Sequence, residues 1–160
     1  MLNEESVANL QQTAVFSGME YADLRTIARY AQEKRVERNG VILQEGRVGD
    51  ALYVILEGRV KVMLLRSRAP ESQQRFSDVD LNTLGRLDCF GEYSLIDRKP
   101  ASASVIALEP TVLFELTRVN FENLVAESDR IARIVYYNLL RMLIDRLRHK
   151  DQELDLSFDI

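Results

Sequence analysis

From Lys34 onward the chain is cut into short apolar runs by glycine-bearing turns, and this punctuation narrows its folds more than any other feature. Arg35-Val36-Glu37 leads to Asn39-Gly40, Val41-Ile42-Leu43 leads to Glu45-Gly46, and Gly49-Asp50 precedes Ala51-Leu52-Tyr53-Val54-Ile55-Leu56. Glu57-Gly58 then separates that run from Val60-Lys61-Val62-Met63-Leu64. Runs this short and rich in β-branched residues read as strands, and Asn-Gly between two of them predicts a hairpin. Residues 67–80 are polar, contain Pro70 and show no period, which predicts a surface loop. Strands resume at Thr83-Leu84, at residues 103–107 and at residues 112–116. Short strands at near-regular spacing predict a compact antiparallel barrel or roll.

Helical patterns flank this region. Val7, Leu10, Val15-Phe16, Leu24, Ile27, Ala28 and Ala31 recur at helical spacings over residues 5–33, with Gly18 as an interruption. Two short helices around a Phe16-Ser17-Gly18 turn are expected. Near the other end, Asn120 is placed to cap a helix over residues 121–125, and Ser128 or Asp129 a longer one to about Leu154. The organisation expected is one domain over residues 1–160, of the α+β class but mainly β. Helices occupy 1–33, a β-roll 34–117, and two further helices 118–154, the last one long.

That last helix carries two apolar stripes. Tyr137, Leu140, Ile144, Leu147 and Leu154 form one, with Asp151 as its polar exception, and Ile131, Val135, Leu139 and Met142 form the other. A surface helix needs only one apolar face. One stripe is therefore assigned to the roll. The other, at Tyr137, Leu140, Ile144 and Leu147, is assigned to a coiled-coil-like seam in a homodimer. A helix buried wholly within one subunit is the alternative.

Several functional classes are disfavoured by composition. A net charge of −4 lacks the basic excess of a nucleic-acid binder. Cys89 is the one cysteine and His149 the one histidine, so no disulfide, zinc cluster or His-lined metal barrel can be assembled. No Ser–His–acid arrangement fits inside a roll, and catalysis is not expected. The start of the chain has no signal-peptide pattern, and no run approaches the ~18 apolar residues of a bilayer span. A cytoplasmic protein with no membrane contact is expected.

The segment from Phe90 to Val105, FGEYSLIDRKPASASV, carries the most chemistry. Gly91 can adopt a positive φ and admit a ligand close to the backbone. Glu92-Tyr93-Ser94-Leu95 can form one helical turn whose N–H groups point one way. Ser102 and Ser104 offer hydroxyl donors, and the Glu92 carboxylate can accept from a sugar hydroxyl. These residue types suit a sugar-phosphate ligand.

The same segment resembles the phosphate-binding cassette of the cyclic-nucleotide-binding domain family. In that pattern Phe-Gly-Glu, two small or apolar residues and Leu are followed after a gap by Pro-Arg-Ala-Ala-Thr/Ser-Val. The spacing matches over residues 90–105 without insertion. Glu45-Gly46-x-x-Gly49-Asp50-x-Leu52-Tyr53-x-Ile55-x-x-Gly58-x-Val60 resembles the family's glycine-turn pattern. The resemblance implies a β-roll, or jelly roll, with a C-terminal helix. It implies no cofactor, and a ligand such as cyclic AMP, cyclic GMP or a nucleoside. The ligand site it implies comprises Gly91, Glu92, Tyr93, Ser94, Ala101, Ser102, Ala103 and Ser104, with Glu92 on the ribose 2′-hydroxyl.

Two positions depart from the family pattern. Ala101 stands where the family has the arginine that pairs with the cyclic phosphate, and Arg98 and Lys99 lie just upstream. On the last helix, Asp145-Arg146 stands where transcription-factor members have a Thr-Ser pair against the base. Arg146 is open to two roles, reaching the pocket from its own or a partner's helix, or an exposed or interchain salt bridge. The tail from Leu154 resembles the hinge that leads to a helix-turn-helix in those members. No recognition helix follows in these residues, so direct DNA contact is not expected. Two functions stay open. One is a regulatory sensor that signals through its C-terminal helix to a protein partner. The other is a degenerate, ligand-free dimeric interaction module.

Overall fold

The computed structural model describes residues 2–70 and 75–158, the last four by backbone alone, and its architecture turns on strand β3, Ala51–Glu57. Ala51 to Leu56 are all buried, so both faces of this strand are covered. Strand alternation sorts them into two cores. Leu52, Val54 and Leu56 pack with the helices, whereas Ala51, Tyr53 and Ile55 fill the interior of the roll.

The roll is two four-stranded antiparallel sheets. One is ordered β1 (Gln32–Val36), β8 (Thr111–Thr117), β3 and β6 (Cys89–Phe90). The other is ordered β2 (Val41–Leu43), β7 (Ser104–Ala107), β4 (Val60–Leu64) and β5 (Val79–Leu84). Strand β8 pairs with β3 from Ala51↔Thr117 to Glu57↔Val112 and repeats the division of side chains. Leu113 enters the roll, while Phe114 and Leu116 enter the helix-side core.

The Asn39-Gly40 turn is a corner between sheets rather than the hairpin expected. Strand β1 pairs with β8, and β2 pairs with β7. Asn39 does take the left-handed conformation, φ 68°, and its N–H donates to Ala107 O at 2.8 Å. Local chemistry sets the reversal, but burial of both sheet faces sets the partners. Gly58 makes a similar corner between β3 and β4. Its φ is 90°, and a Cβ there would meet Pro110 O at 2.8 Å.

The helices are α1 (Glu4–Asn9), α2 (Tyr21–Tyr30), α3 (Arg118–Glu127) and α4 (Asp129–Phe158), with a 3₁₀ turn at Leu10–Gln12. Gly18 breaks the first stretch with φ 81°. Helical structure there ends at Tyr30 rather than Glu33, because Gln32 and Glu33 pair with Glu115 and Phe114 in the sheet. The polar tract is shorter than the 67–80 expected. Arg66–Arg68 form a 3₁₀ turn, and Val79 and Asp80 already pair with Leu64 and Met63. Its residues 71–74 lie outside the described residues.

Thr117, not Asn120, caps α3, its hydroxyl accepting from Asn120 N at 3.3 Å. The Asn120 side chain donates instead to Tyr30 O at 2.8 Å, tying α3 to the end of α2. Ser128 accepts from Ile131 N at 3.3 Å at the start of α4. Helix α4 continues to Phe158, so residues 154–158 are helical rather than hinge, and Asp159 and Ile160 lie outside the described residues.

Both stripes of α4 are present. Ile131, Val135 and Leu139 are buried and Met142 is half-buried against them. Asn138 locks this face by donating to Val15 O and Ser17 O, both at 2.9 Å. Tyr137, Leu140, Ile144 and Leu147 are exposed on the other side, Leu147 at 61%. The subunit does not bury the helix whole.

Phe114 is fully buried and meets Phe16 edge-on with centroids 5.6 Å apart, joining β8 to the N-terminal turn. Phe114→Ala should destabilise the fold by about 3–5 kcal/mol, measured by urea denaturation.

Candidate functional site

The candidate site begins where β6 ends. Gly91 has φ 76° and lies so close to β3 that a Cβ would collide with Ala51 O and come within 3.3 Å of the Tyr53 ring. Only glycine satisfies both conditions without strain. It opens a 3₁₀ turn, Glu92–Leu95, in which Ser94 N donates to Gly91 O at 3.0 Å. The one-turn helix expected of these residues is thus formed, in 3₁₀ geometry. Ser94 also packs on β3's approach, where a Cβ at Gly49 would meet its Oγ at 2.5 Å.

This turn buries Glu92, 4% exposed, beneath α4. Its Oε1 accepts from Nη1 of Arg146 of the same chain, and that nitrogen also donates to the Tyr93 hydroxyl at 2.8 Å. The guanidinium sits 5.5 Å from the centre of the Tyr93 ring. Burial works against the Arg146 charge, but the Glu92 carboxylate and the Tyr93 hydroxyl outweigh it and raise the pKa. Arg146 reaches Glu92 from its own helix, in an ion pair that leaves its side chain 43% exposed. Beside this contact lies a small cleft, about 10 Å³ open to a water-sized occupant, lined by Tyr93, Ile96, Leu139, Met142, Leu143 and Arg146.

The second half of the cassette is clasped by the Glu45-Gly46-Arg47 turn. Gly46 N donates to Ala101 O at 2.9 Å and Ala101 N donates to Arg47 O at 2.8 Å. Ser104 is fully buried, and its Oγ accepts from Glu45 N at 3.0 Å. Ser102 is exposed and Ala103 half-buried. The stretch from Gly91 to Ser104 is therefore held at one end by β3 and at the other by the Glu45 turn.

Two groupings escaped the sequence reading. Arg75 folds back from the polar tract to a bidentate pair with Glu45, at 2.7 and 2.8 Å, and Glu45 also accepts from Leu65 N at 3.3 Å. The Arg75 hydrogen bonds hold the Glu45 pKa below the ordinary carboxylate value, against the effect of burial. Nothing local to Arg75 signals this contact. On β8, burial raises the Glu115 pKa, but bonds from Gln32 (2.5 Å) and Lys34 (2.9 Å) outweigh it and leave the value lowered. A lone carboxylate inside the apolar run Val112-Leu113-Phe114-Glu115-Leu116 was the available signal for that cluster. Burial pushes the Cys89 thiol up to about 12, which leaves it a poor nucleophile. Among the described residues no group of His, Cys, Asp and Glu could hold a metal ion, and no helix is long and apolar enough to cross a membrane.

The cassette and the Glu45 turn that clasps it lie within the span matched by the family model for the cyclic nucleotide-binding domain, residues 33–128, whereas Arg146 on α4 lies beyond it. The chain belongs to that family. A cyclic AMP receptor protein of Thermus thermophilus is 32% identical over 94% of this chain and 65% of its own length. A CRP-like cAMP-activated global transcriptional regulator of Mycobacterium tuberculosis is 29% identical over 93% of this chain and 62% of its own. The chain thus spans somewhat under two thirds of these relatives. A solved cyclic nucleotide-binding domain from Methylobacillus flagellatus superposes with TM-score 0.78 at 26% identity, over 94% of this chain and 81% of that one.

Two outcomes follow from these contacts. Gly91→Ala must bear a left-handed φ and the collision with Ala51 O, and should lower stability by about 1–3 kcal/mol in chemical denaturation. Because the Glu45 pKa is lowered on folding, its pair with Arg75 stabilises above the ordinary carboxylate value of 4.5 and is lost as pH falls through the depressed one. The melting-temperature advantage of the wild type over Glu45→Gln should therefore shrink below about pH 4.5.

Proposed function

We propose that this chain is a regulatory sensor, not an enzyme, that binds cyclic AMP or a related nucleotide or nucleoside between the cassette and α4. The observation that carries this reading is the buried Glu92 carboxylate held by Arg146. A sugar hydroxyl that approaches Glu92 competes with Arg146 for the same oxygens. The cleft beside them offers about 10 Å³ to a water-sized occupant, far below the ~300 Å³ at the small end of ligand pockets. Entry of a nucleoside-sized ligand therefore requires α4 to shift. A ligand that favours the shifted helix moves the equilibrium by its difference in affinity for the two positions.

The exposed stripe Tyr137, Leu140, Ile144 and Leu147 supports a homodimer through α4, so that a shift of the helix changes the surface offered to a protein partner. The named relatives, a cyclic AMP receptor protein and a cAMP-activated transcriptional regulator, support the regulatory class and cyclic AMP as the first ligand to test. A cytoplasmic setting without membrane contact completes the reading.

A second reading, a ligand-free dimeric module, is favoured by Ala101 in the arginine position and by the existing partnership of Glu92. Titration calorimetry with cyclic AMP, cyclic GMP and adenosine separates the two. The sensor reading expects micromolar binding of at least one of them, weakened about tenfold or more in Glu92→Ala. Absence of binding at millimolar concentration for all three would establish the second reading for these ligands.

A further inference from the structure

The polar tract after β4 turns one long side chain inward. Arg75 is 11% exposed in its side chain and Glu45 7%, although nearly all the other described residues of 67–80 are exposed. Arg75 donates through Nη2 to Glu45 Oε1 (2.7 Å), and through Nη1 to Glu45 Oε2 (2.8 Å) and Leu65 O (3.1 Å). Desolvation offsets much of the attraction in such a buried pair, so stability alone is a weak reason to carry an arginine there. Its position suggests another. The turn that holds Arg75 through Glu45 is the turn that clasps the cassette, with Glu45 N on Ser104 Oγ, Gly46 N on Ala101 O, and Ala101 N on Arg47 O.

We propose that Arg75 supplies, from the loop, the cation that position 101 lacks, and is the residue that contacts the phosphodiester anion of a cyclic nucleotide. The inference rests on the nucleotide-sensor reading above and names the anion contact of the same site. A guanidinium presents a planar fork of donors that suits phosphate oxygens as well as carboxylate oxygens. Glu45 orients that fork and also competes for it. Anion affinity is then set by an exchange, in which phosphate oxygens take over donors that the carboxylate holds. A neutral nucleoside makes no use of Arg75.

Calorimetry on the full chain with cyclic AMP and adenosine tests this, with melting curves to confirm that each variant folds. Arg75→Gln is expected to weaken cyclic AMP about tenfold or more and to leave adenosine unchanged. Glu45→Gln, which keeps the shape but removes the competing charge, is expected to bind cyclic AMP more tightly than the wild type. Arg75→Lys is expected to recover part of the loss. The proposal is overturned if Arg75→Gln binds both ligands as the wild type does, or weakens both equally. It is overturned too if the wild type binds adenosine but not cyclic AMP, an outcome that leaves the Glu92 site standing. A wild type that binds neither ligand overturns the sensor reading and this inference together.

Discussion

Burial of β3 on both faces is the constraint on which the rest of the molecule depends. The strand is a wall shared by two cores, one made with the helices and one inside the roll. Each side chain can serve only one of them, so a shift of register by one residue would exchange the two sets and break both cores at once. The cassette depends on the same wall. Gly91 lies against the backbone of Ala51, and the 3₁₀ turn that buries Glu92 starts from that contact. Helix α4 reaches the turn because Ile131, Val135 and Leu139 dock on the helix-side core.

Charge in the site follows one plan. The roll supplies buried carboxylates, and segments distant in sequence supply the cations that answer them. Arg146 comes to Glu92 from 54 residues away and Arg75 to Glu45 from 30. Buried pairs of this kind contribute little net stability, since desolvation of two ions offsets most of their attraction. Their effect lies in position. Each fixes where a peripheral segment rests against the cassette.

The roll was legible because its signals are local: short β-runs, glycine corners, and the spacing from Phe90 to Val105. Gly91 and the turn after it were legible for the same reason, since a positive φ and a helical turn belong to a few adjacent residues. Partnerships between distant segments were not. Asn39-Gly40 announces a reversal, but only the finished sheets show that the chain changes layer there. Asn120 has the chemistry of a cap, yet the carbonyl of Tyr30 claims its side chain and leaves the role to Thr117. Glu33 suits a helix, but pairing with Phe114 draws it into β1. Arg75 lies in a tract with no period and no motif, so its contact with Glu45 had no precursor in the sequence.

Helix α4 spans thirty residues, about 45 Å, and its described side chains beyond Met142 are exposed. The portion past Arg146 extends about 18 Å from that contact. A tilt of roughly 10° pivoting at Arg146 would sweep the far end through about 3 Å, enough to bring different side chains to face a neighbour. The described side chains of this portion, as far as Leu154, are exposed to solvent. Under the sensor reading proposed above, loss of that one guanidinium–carboxylate contact would become a displacement at a distance, as a pointer magnifies a small turn at its axle.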